Sequence, residues 1–266
     1  MSPCIGVQMG LPMFAEQYLW LFFGLVAFGA FTQGFSGVGY GMVVLAGMAF
    51  TPWDLERTIL ILNLMLPLLH VSIIYATLRK SRINWKLVGV LLVGAGVGVP
   101  LGYWFIMALG KQPIFRVILG LALTLFSANE LIRPRIHKDL NLGFGLVAGL
   151  MGGFLSGGFL TAGPPLALFL YSRFKDDPAQ GKGTLQIVFI ICTFWRLAAV
   201  MIMGHGITLP LIKLAAQGLP FLVVFAFLGH RLSRRIPSRT FLKIVYSLIA
   251  TAGIINVFKG LLSIWE

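Results

Sequence analysis

The chain has 266 residues, of which 58% are hydrophobic and 11% charged, with a mean hydropathy of +0.91. That balance excludes a soluble globular domain and fits an integral membrane protein. The formal charge of +13 does not point to nucleic acid, because the 21 Lys and Arg fall between the apolar runs, where helical membrane proteins carry them. Cys4 and Cys192 have no ligand spacing around them, so neither a disulfide framework nor a zinc site is readable.

Residues 1–17 contain no Lys or Arg and lack the charged start of a cleaved signal peptide; they are expected to stay on the protein as an extracytoplasmic segment. The apolar run over 18–50 has 33 residues, about 50 Å as one helix against a hydrocarbon layer of roughly 30 Å. At its centre lies Gly34-Phe35-Ser36-Gly37-Val38-Gly39-Tyr40-Gly41, which predicts two half-helices joined by a break inside the membrane. A polar link at 51–57 leads to an apolar segment over 58–78 carrying Asn63 and His70, then to the basic link 79–82. The segment over 87–109 is studded with Gly94, Gly96, Gly98 and Gly102, spacing that lets helices approach closely. After a turn at 110–113 the next segment ends near 131, with Asn129 and with Glu130 one turn from Arg133, where a local ion pair is expected. A basic link at 133–139 closes the first half.

The second half repeats this plan. The run over 140–171 contains Gly152-Gly153-Phe154-Leu155-Ser156-Gly157-Gly158, followed by Gly163-Pro164-Pro165, prolines that the first half lacks. A polar link at 172–183 precedes segments over 184–204, 207–229 and 241–264. Letter matches set an expected register: Thr58 with Thr184 at 126, Gly102 with Gly229 and Asn129 with Asn256 at 127, and the broken motifs at 119 to 120, the longer second link absorbing the difference. The pattern predicts a duplication, with units at 18–132 and 140–266.

Charge decides how the broken runs are counted. As single crossings they divide the basic residues outside the runs 11 to 9, which gives no orientation. As hairpins returning to their starting side they divide them 15 to 5, the asymmetry that cytoplasmic links carry. The predicted fold is an all-α integral membrane protein of two inverted repeats, each a broken-helix hairpin plus three transmembrane helices, with eight to ten membrane segments and both termini outside. Limbs of roughly 15 residues, about 22 Å each, would bring the two tips together near the midplane.

At each tip the second half-helix is expected to start just after Ser36-Gly37 or Ser156-Gly157, turning unpaired N–H groups and a positive dipole end toward the middle of the protein. Such an end binds an anion, glycine lets the backbone approach it, and serine adds a hydroxyl donor. The candidate substrate-binding residues are Gly34, Ser36, Gly37, Val38 and Gly39 in the first half and Gly153, Ser156, Gly157 and Gly158 in the second. Arg196 lies near the centre of its segment, where a charge is expensive and usually functional, the alternative being a structural partner to backbone carbonyls or a helix C-terminus. At the offset of 126 it pairs with His70, which would place one fixed and one titratable cation at the tips. Asn63 could also line the site, although interhelical hydrogen bonding is the expected role for Asn63, Asn129 and Asn256.

The alternative function is an intramembrane serine protease, because Gly34-Phe35-Ser36-Gly37 has the G-x-S-G form and His70 could be its base. Against it, the second half keeps a serine but offers Arg196, which cannot act as a base at neutral pH. A cation channel is disfavoured because no acidic residue sits at a segment centre. No P-loop occurs, so no ATPase is visible, and no catalytic residue, cofactor or metal is expected.

The glycine-rich broken first run, its return as Gly152-Gly153-Phe154-Leu155-Ser156-Gly157-Gly158 with Gly163-Pro164-Pro165 after it, and the basic links together resemble the TauE/SafE family of sulfite and organosulfonate exporters, over residues 19–262. The resemblance implies a multi-pass carrier of the bacterial cytoplasmic (inner) membrane for small anions such as sulfite, thiosulfate or sulfonated carboxylates like sulfoacetate. Its expected partners are that anion, membrane lipids and, as a homodimer, a second copy of the chain.

Overall fold

A computed structural model describes residues 16–78, 83–110, 112–132, 140–174, 177–202, 207–233, 235 and 238–265. The long first run folds back on itself. A short 3-10 turn (Glu16–Tyr18) leads into α1 (Leu19–Ser36), which stops where Gly37 takes φ 91°, and α2 (Tyr40–Met48) begins after Gly39 at φ 116°. Only glycine holds such angles without strain, so these two residues make the reversal. The limbs are antiparallel, since Gly29 faces Tyr40 and Val44 while Gly47 faces Leu25. The hairpin therefore returns to its starting end, where Phe22 stacks on Trp53 at 5.4 Å and Lys259 sits 5.1 Å above the Phe50 ring.

Three longer helices follow: α3 (Leu55–Leu78), α4 (Trp85–Leu109) and α5 (Pro113–Ile132). The second half opens with another antiparallel hairpin, α6 (Leu142–Phe159) and α7 (Gly163–Arg173), in which Gly152 faces Leu166 and Gly145 faces Phe169. Arg173 closes it by donating Nη2–H and Nε–H to the Leu140 carbonyl at 2.6 and 3.0 Å. Then come α8 (Pro178–Ile202), α9 (Leu209–Leu232) and α10 (Ser238–Trp265). The described elements are all helical, and seven helices among the described residues are long and apolar enough to cross a membrane. Trp20, Trp85 and Trp265 stand exposed at helix ends, as aromatic residues do at a membrane–water boundary.

The structure alters several expectations. The limbs are unequal, with 18 and nine residues in the first hairpin and 18 and 11 in the second, rather than about 15 each. The second break falls at 160–162, one turn beyond Ser156-Gly157, which lie inside α6. Glycines in α6 pack against neighbours instead of ending the helix, and Pro164 and Pro165 fix where α7 starts. The polar link is shorter than expected, because Asp177 caps α8 through Oδ1 and the Gln180 N–H at 3.0 Å.

Helix boundaries recur at one offset. Leu19 and Leu142, Tyr40 and Gly163, and Leu55 and Pro178 are each 123 residues apart. The matches at 119 to 120 and the Thr58–Thr184 match at 126 therefore do not mark the register of the hairpins, α3 and α8. The Gly102–Gly229 match at 127, by contrast, is the packing register of α4 and α9: Gly102 meets Phe154 and Gly158, and Gly229 meets Phe31 and Phe35, the residues 123 positions earlier. Small residues recur every four positions for packing, so matching letters one turn out of step is easy. In this register Ser156 corresponds to Gln33, and His70 to Thr193 rather than Arg196.

Expectations that fall on residues 1–15, Lys111, Lys175, Arg234, and the basic links 79–82 and 133–139 lie outside the described residues, as do Cys4 and the Glu130–Arg133 pair. Among described basic residues, Lys86, Arg173, Lys182, Arg231, Arg235 and Lys243 lie toward the end where α3 finishes and α6 begins; Arg57, Arg116, Lys213 and Lys259 lie toward the other.

Glycines bring the helices together. Gly94, Gly98 and Gly102 of α4 face Gly149, Gly153 and Gly158 of α6, and a Cβ on Gly98 would overlap the Leu150 carbonyl. In the first half, Gly34 of α1 meets Ala226 of α9 in the same way. Without a hydrophobic drive between helices in lipid, this close backbone approach supplies the association. Gly98→Ala should therefore cost about 1–3 kcal/mol, read as a lower thermal midpoint in detergent. Gly96→Ala, into open space, should be neutral or slightly stabilising. Equal midpoints for the two variants would show that α4 and α6 are not held in this way.

Candidate functional site

The first turn of α2 is built by a residue from α1. Gln33 is buried, and its Oε1 accepts the Tyr40 N–H at 3.0 Å, which caps the start of α2 from across the hairpin. Other N–H groups of that turn, on Gly39, Gly41 and Met42, have no intrahelical acceptor. At the second tip Pro164 and Pro165 carry no N–H, so only Ala162 and Gly163 can donate from the start of α7. The tips meet, with Val38 against Gly163 and Leu160 against Gly41.

Between them lies a cavity of about 30 Å³. Its lining follows the 123-residue offset: Gln33 with Ser156, Val38 with Thr161, Gly39 with Ala162, Tyr40 with Gly163, Leu66 with Phe189, and His70 with Thr193. Gly41, Met42 and Leu160 complete the wall. Leu66 and His70 stand at mid-length of α3, and Phe189 and Thr193 at mid-length of α8. Thr161 is 4% exposed and its hydroxyl has no partner. Its counterpart Val38 has the same shape without a hydroxyl. Leu160 holds φ 54°, a left-handed angle that costs a branched residue energy and marks a constrained turn.

The broken end of α1 is tied to the second half. Lys182 Nζ donates to the Gly34 and Phe35 carbonyls at 2.6 and 3.4 Å, and the Tyr171 hydroxyl donates to Ser36 at 3.4 Å. Gln186 Nε2 donates to the Gly37 carbonyl at 2.8 Å, while its Oε1 accepts from His70 Nδ1 at 2.8 Å. A cation at a helix C-terminus also meets the negative end of the dipole. The broken end of α6 is satisfied by its own backbone, Leu160 N–H to Ser156 and Thr161 N–H to Leu155, and by Arg196.

Arg196 is fully buried. Its Nη1–H donates to the Ser156 carbonyl at 3.2 Å and its guanidinium lies 5.9 Å from the centre of the Tyr103 ring, but Nε and Nη2 have no hydrogen-bond partner. The ion pair among the described residues is Arg57–Asp54 at 3.7 Å, so no described carboxylate compensates Arg196. A buried charge without a counter-ion is strongly unfavourable.

Of the residues singled out from the sequence, Val38, Gly39, His70 and Ser156 line the cavity. Ser36 instead turns Oγ onto the Thr32 and Val38 carbonyls and accepts the Val38 N–H, closing the first tip. Gly34, Gly153, Gly157 and Gly158 pack against neighbouring helices, and Gly37 makes the turn. Asn63 is buried outside the cavity wall with no partner on either amide atom, and Asn256 donates within its own helix to Ala252. The serine–histidine pair of a protease is absent, since Ser36 and His70 are bonded elsewhere. Gln33, Thr161, Lys182 and Gln186 were not singled out, although polar residues so close to apolar break points are the signal that could have found them.

The family model described as "Sulfite exporter TauE/SafE" matches residues 21–255. The chain is 26% identical over 190 residues to "Probable inner membrane transporter protein TsaS" of Comamonas testosteroni, a match spanning 69% of this chain and 76% of that protein. It is 23% identical over 235 residues to "Probable sulfite/organosulfonate exporter TauE" of Cupriavidus necator, spanning 86% of this chain and 90% of that protein. No solved structure matches.

Proposed function

The chain belongs to the sulfite exporter TauE/SafE family, and we propose that it is a secondary carrier that holds a small sulfur oxyanion or organosulfonate in the cavity between its two hairpin tips. It is a multi-pass inner-membrane transporter and not an enzyme. The observation that carries the site is the cavity itself, lined by equivalent residues of both halves and placed at the mid-length of α3 and α8. Transporters of repeated architecture place their substrate at such an interface, beside helix ends.

In this reading the units 18–132 and 140–266 are inverted repeats, and the anion oxygens take the N–H groups of Gly39, Gly41 and Met42 at the positive end of α2. Thr161 supplies the hydroxyl donor from the second tip. Arg196 supplies the compensating charge, one carbonyl behind the cavity wall at Ser156, and the bound anion relieves its lack of a counter-ion. Sulfite, thiosulfate and sulfonates such as sulfoacetate all present a compact group of acceptor oxygens, which suits a small donor-rich pocket. The cavity is tight for such a group, so binding is accompanied by opening of the tips.

Binding to the purified protein in nanodiscs tests this reading, with sulfite, thiosulfate, sulfate and a sulfonate titrated in turn. Thr161→Val should weaken oxyanion binding by about ten- to a hundredfold, the value of one hydrogen bond to a charged group, while Thr161→Ser retains it. Arg196→Ala should abolish binding in a folded protein, and Arg196→Lys should recover little, because an ammonium lacks the planar fork. Normal binding in both Thr161→Val and Arg196→Ala would place the substrate elsewhere.

Topology is a separate check. A reporter fused after Glu266 should read extracytoplasmic, and a cysteine at Ser233 should be protected from an impermeant reagent added outside. A cytoplasmic carboxyl terminus would sink the inverted arrangement.

A further inference from the structure

The offset of 123 residues puts Asn63 of α3 at the position Gln186 holds in α8. Gln186 is fully engaged, with Nε2 on the Gly37 carbonyl of the first tip and Oε1 on His70. Asn63 is as deeply buried, yet neither its amide nitrogen nor its oxygen has a partner. Buried unpaired amides are rare and costly, and one at this position calls for an explanation. The carbonyl corresponding to that of Gly37 belongs to Leu160, the residue held at φ 54° in the second tip.

We propose that Gln186 and Asn63 are the two arms of an alternating latch. Gln186 holds the first tip and closes the cavity toward the α7–α8 end of the molecule. Asn63 takes the Leu160 carbonyl of the second tip when the cavity closes toward the α2–α3 end. The structure is the member of the cycle in which the Gln186 arm is made and the Asn63 arm is not. The proposal rests on the reading of the cavity as the transport site.

The order of residues along the helices places each arm on its own side. Entering from the α7–α8 end, α8 presents Lys182 and Gln186 before the cavity residues Phe189 and Thr193. Entering from the opposite end, α3 presents Asn63 one turn before Leu66 and two before His70. The arms are unequal. Lys182 reinforces Gln186 through Gly34 and Phe35, whereas its counterpart at the same offset is Ile59, which can donate nothing. Asn63 is also one methylene shorter than Gln186. The α2–α3 side is therefore held by fewer polar bonds and is the side that opens more readily.

Sided labelling tests the latch without any anion present. In a background of Cys4→Ser and Cys192→Ala, Thr193→Cys reports access to the cavity in sealed vesicles of each orientation, using an impermeant maleimide. Gln186→Leu should raise labelling from the α7–α8 face on the order of fivefold or more and leave the other face unchanged. Lys182→Met should act in the same direction, and Lys182→Arg should restore the original rate. Asn63→Gln lengthens the second arm and should lower labelling from the α2–α3 face by a similar factor. Equal increases from both faces in Gln186→Leu, or unchanged labelling in Asn63→Gln, would overturn the latch. Failure of the unaltered protein to bind any sulfur oxyanion would overturn the functional reading instead, and the labelling pattern would still decide the latch.

Discussion

A helix that stops inside a membrane must satisfy its freed backbone groups without bulk water, and each hairpin tip answers that demand differently. At the first tip the last carbonyls of α1 are taken by Lys182, Tyr171 and Gln186, all from the other half of the chain. At the second tip the backbone of α6 satisfies itself and Arg196 adds one bond. The first tip is thus a contact between halves as much as a turn. The donors left over at the start of α2 lie beside the cavity between the tips, where the proposed anion site falls.

Close helix approach is the second condition. The glycines of α4 and α6, and Gly34 of α1 against α9, remove side chains where backbones touch, so each hairpin is carried rigidly by a long helix of the other half. Cross-half packing and cross-half bonds at the first tip act on the same element. A shift of one half against the other therefore changes the tips directly, which is the mechanical requirement for alternating access.

The hairpins were legible because length, glycine clustering and charge asymmetry each have a direct physical cause: the membrane's thickness, backbone freedom and the membrane's sidedness. The register was legible only in part: Gly102 and Gly229 are packing counterparts, but the two hairpin motifs are not. Identical letters such as Ser36 and Ser156 do different work, one closing a turn and the other lining the cavity, while the true counterparts Gln33 and Ser156 share no letter. Position on a helix face, and not identity, decides which residues meet. His70 and Arg196 looked like a pair for the same reason, yet His70 faces Gln186 and Arg196 faces the Ser156 carbonyl.

The sequence by itself determined that the chain is an all-helical membrane protein with two broken runs and a costly buried arginine, since hydropathy and the price of burying charge are properties of residues alone. Tertiary structure decided where the second break falls, which polar side chains reach the tips, and that Thr161 and Asn63 are left without partners. Those outcomes depend on which faces of α3 and α8 turn inward and how close the glycines let neighbouring backbones come, and neither is encoded in any local stretch.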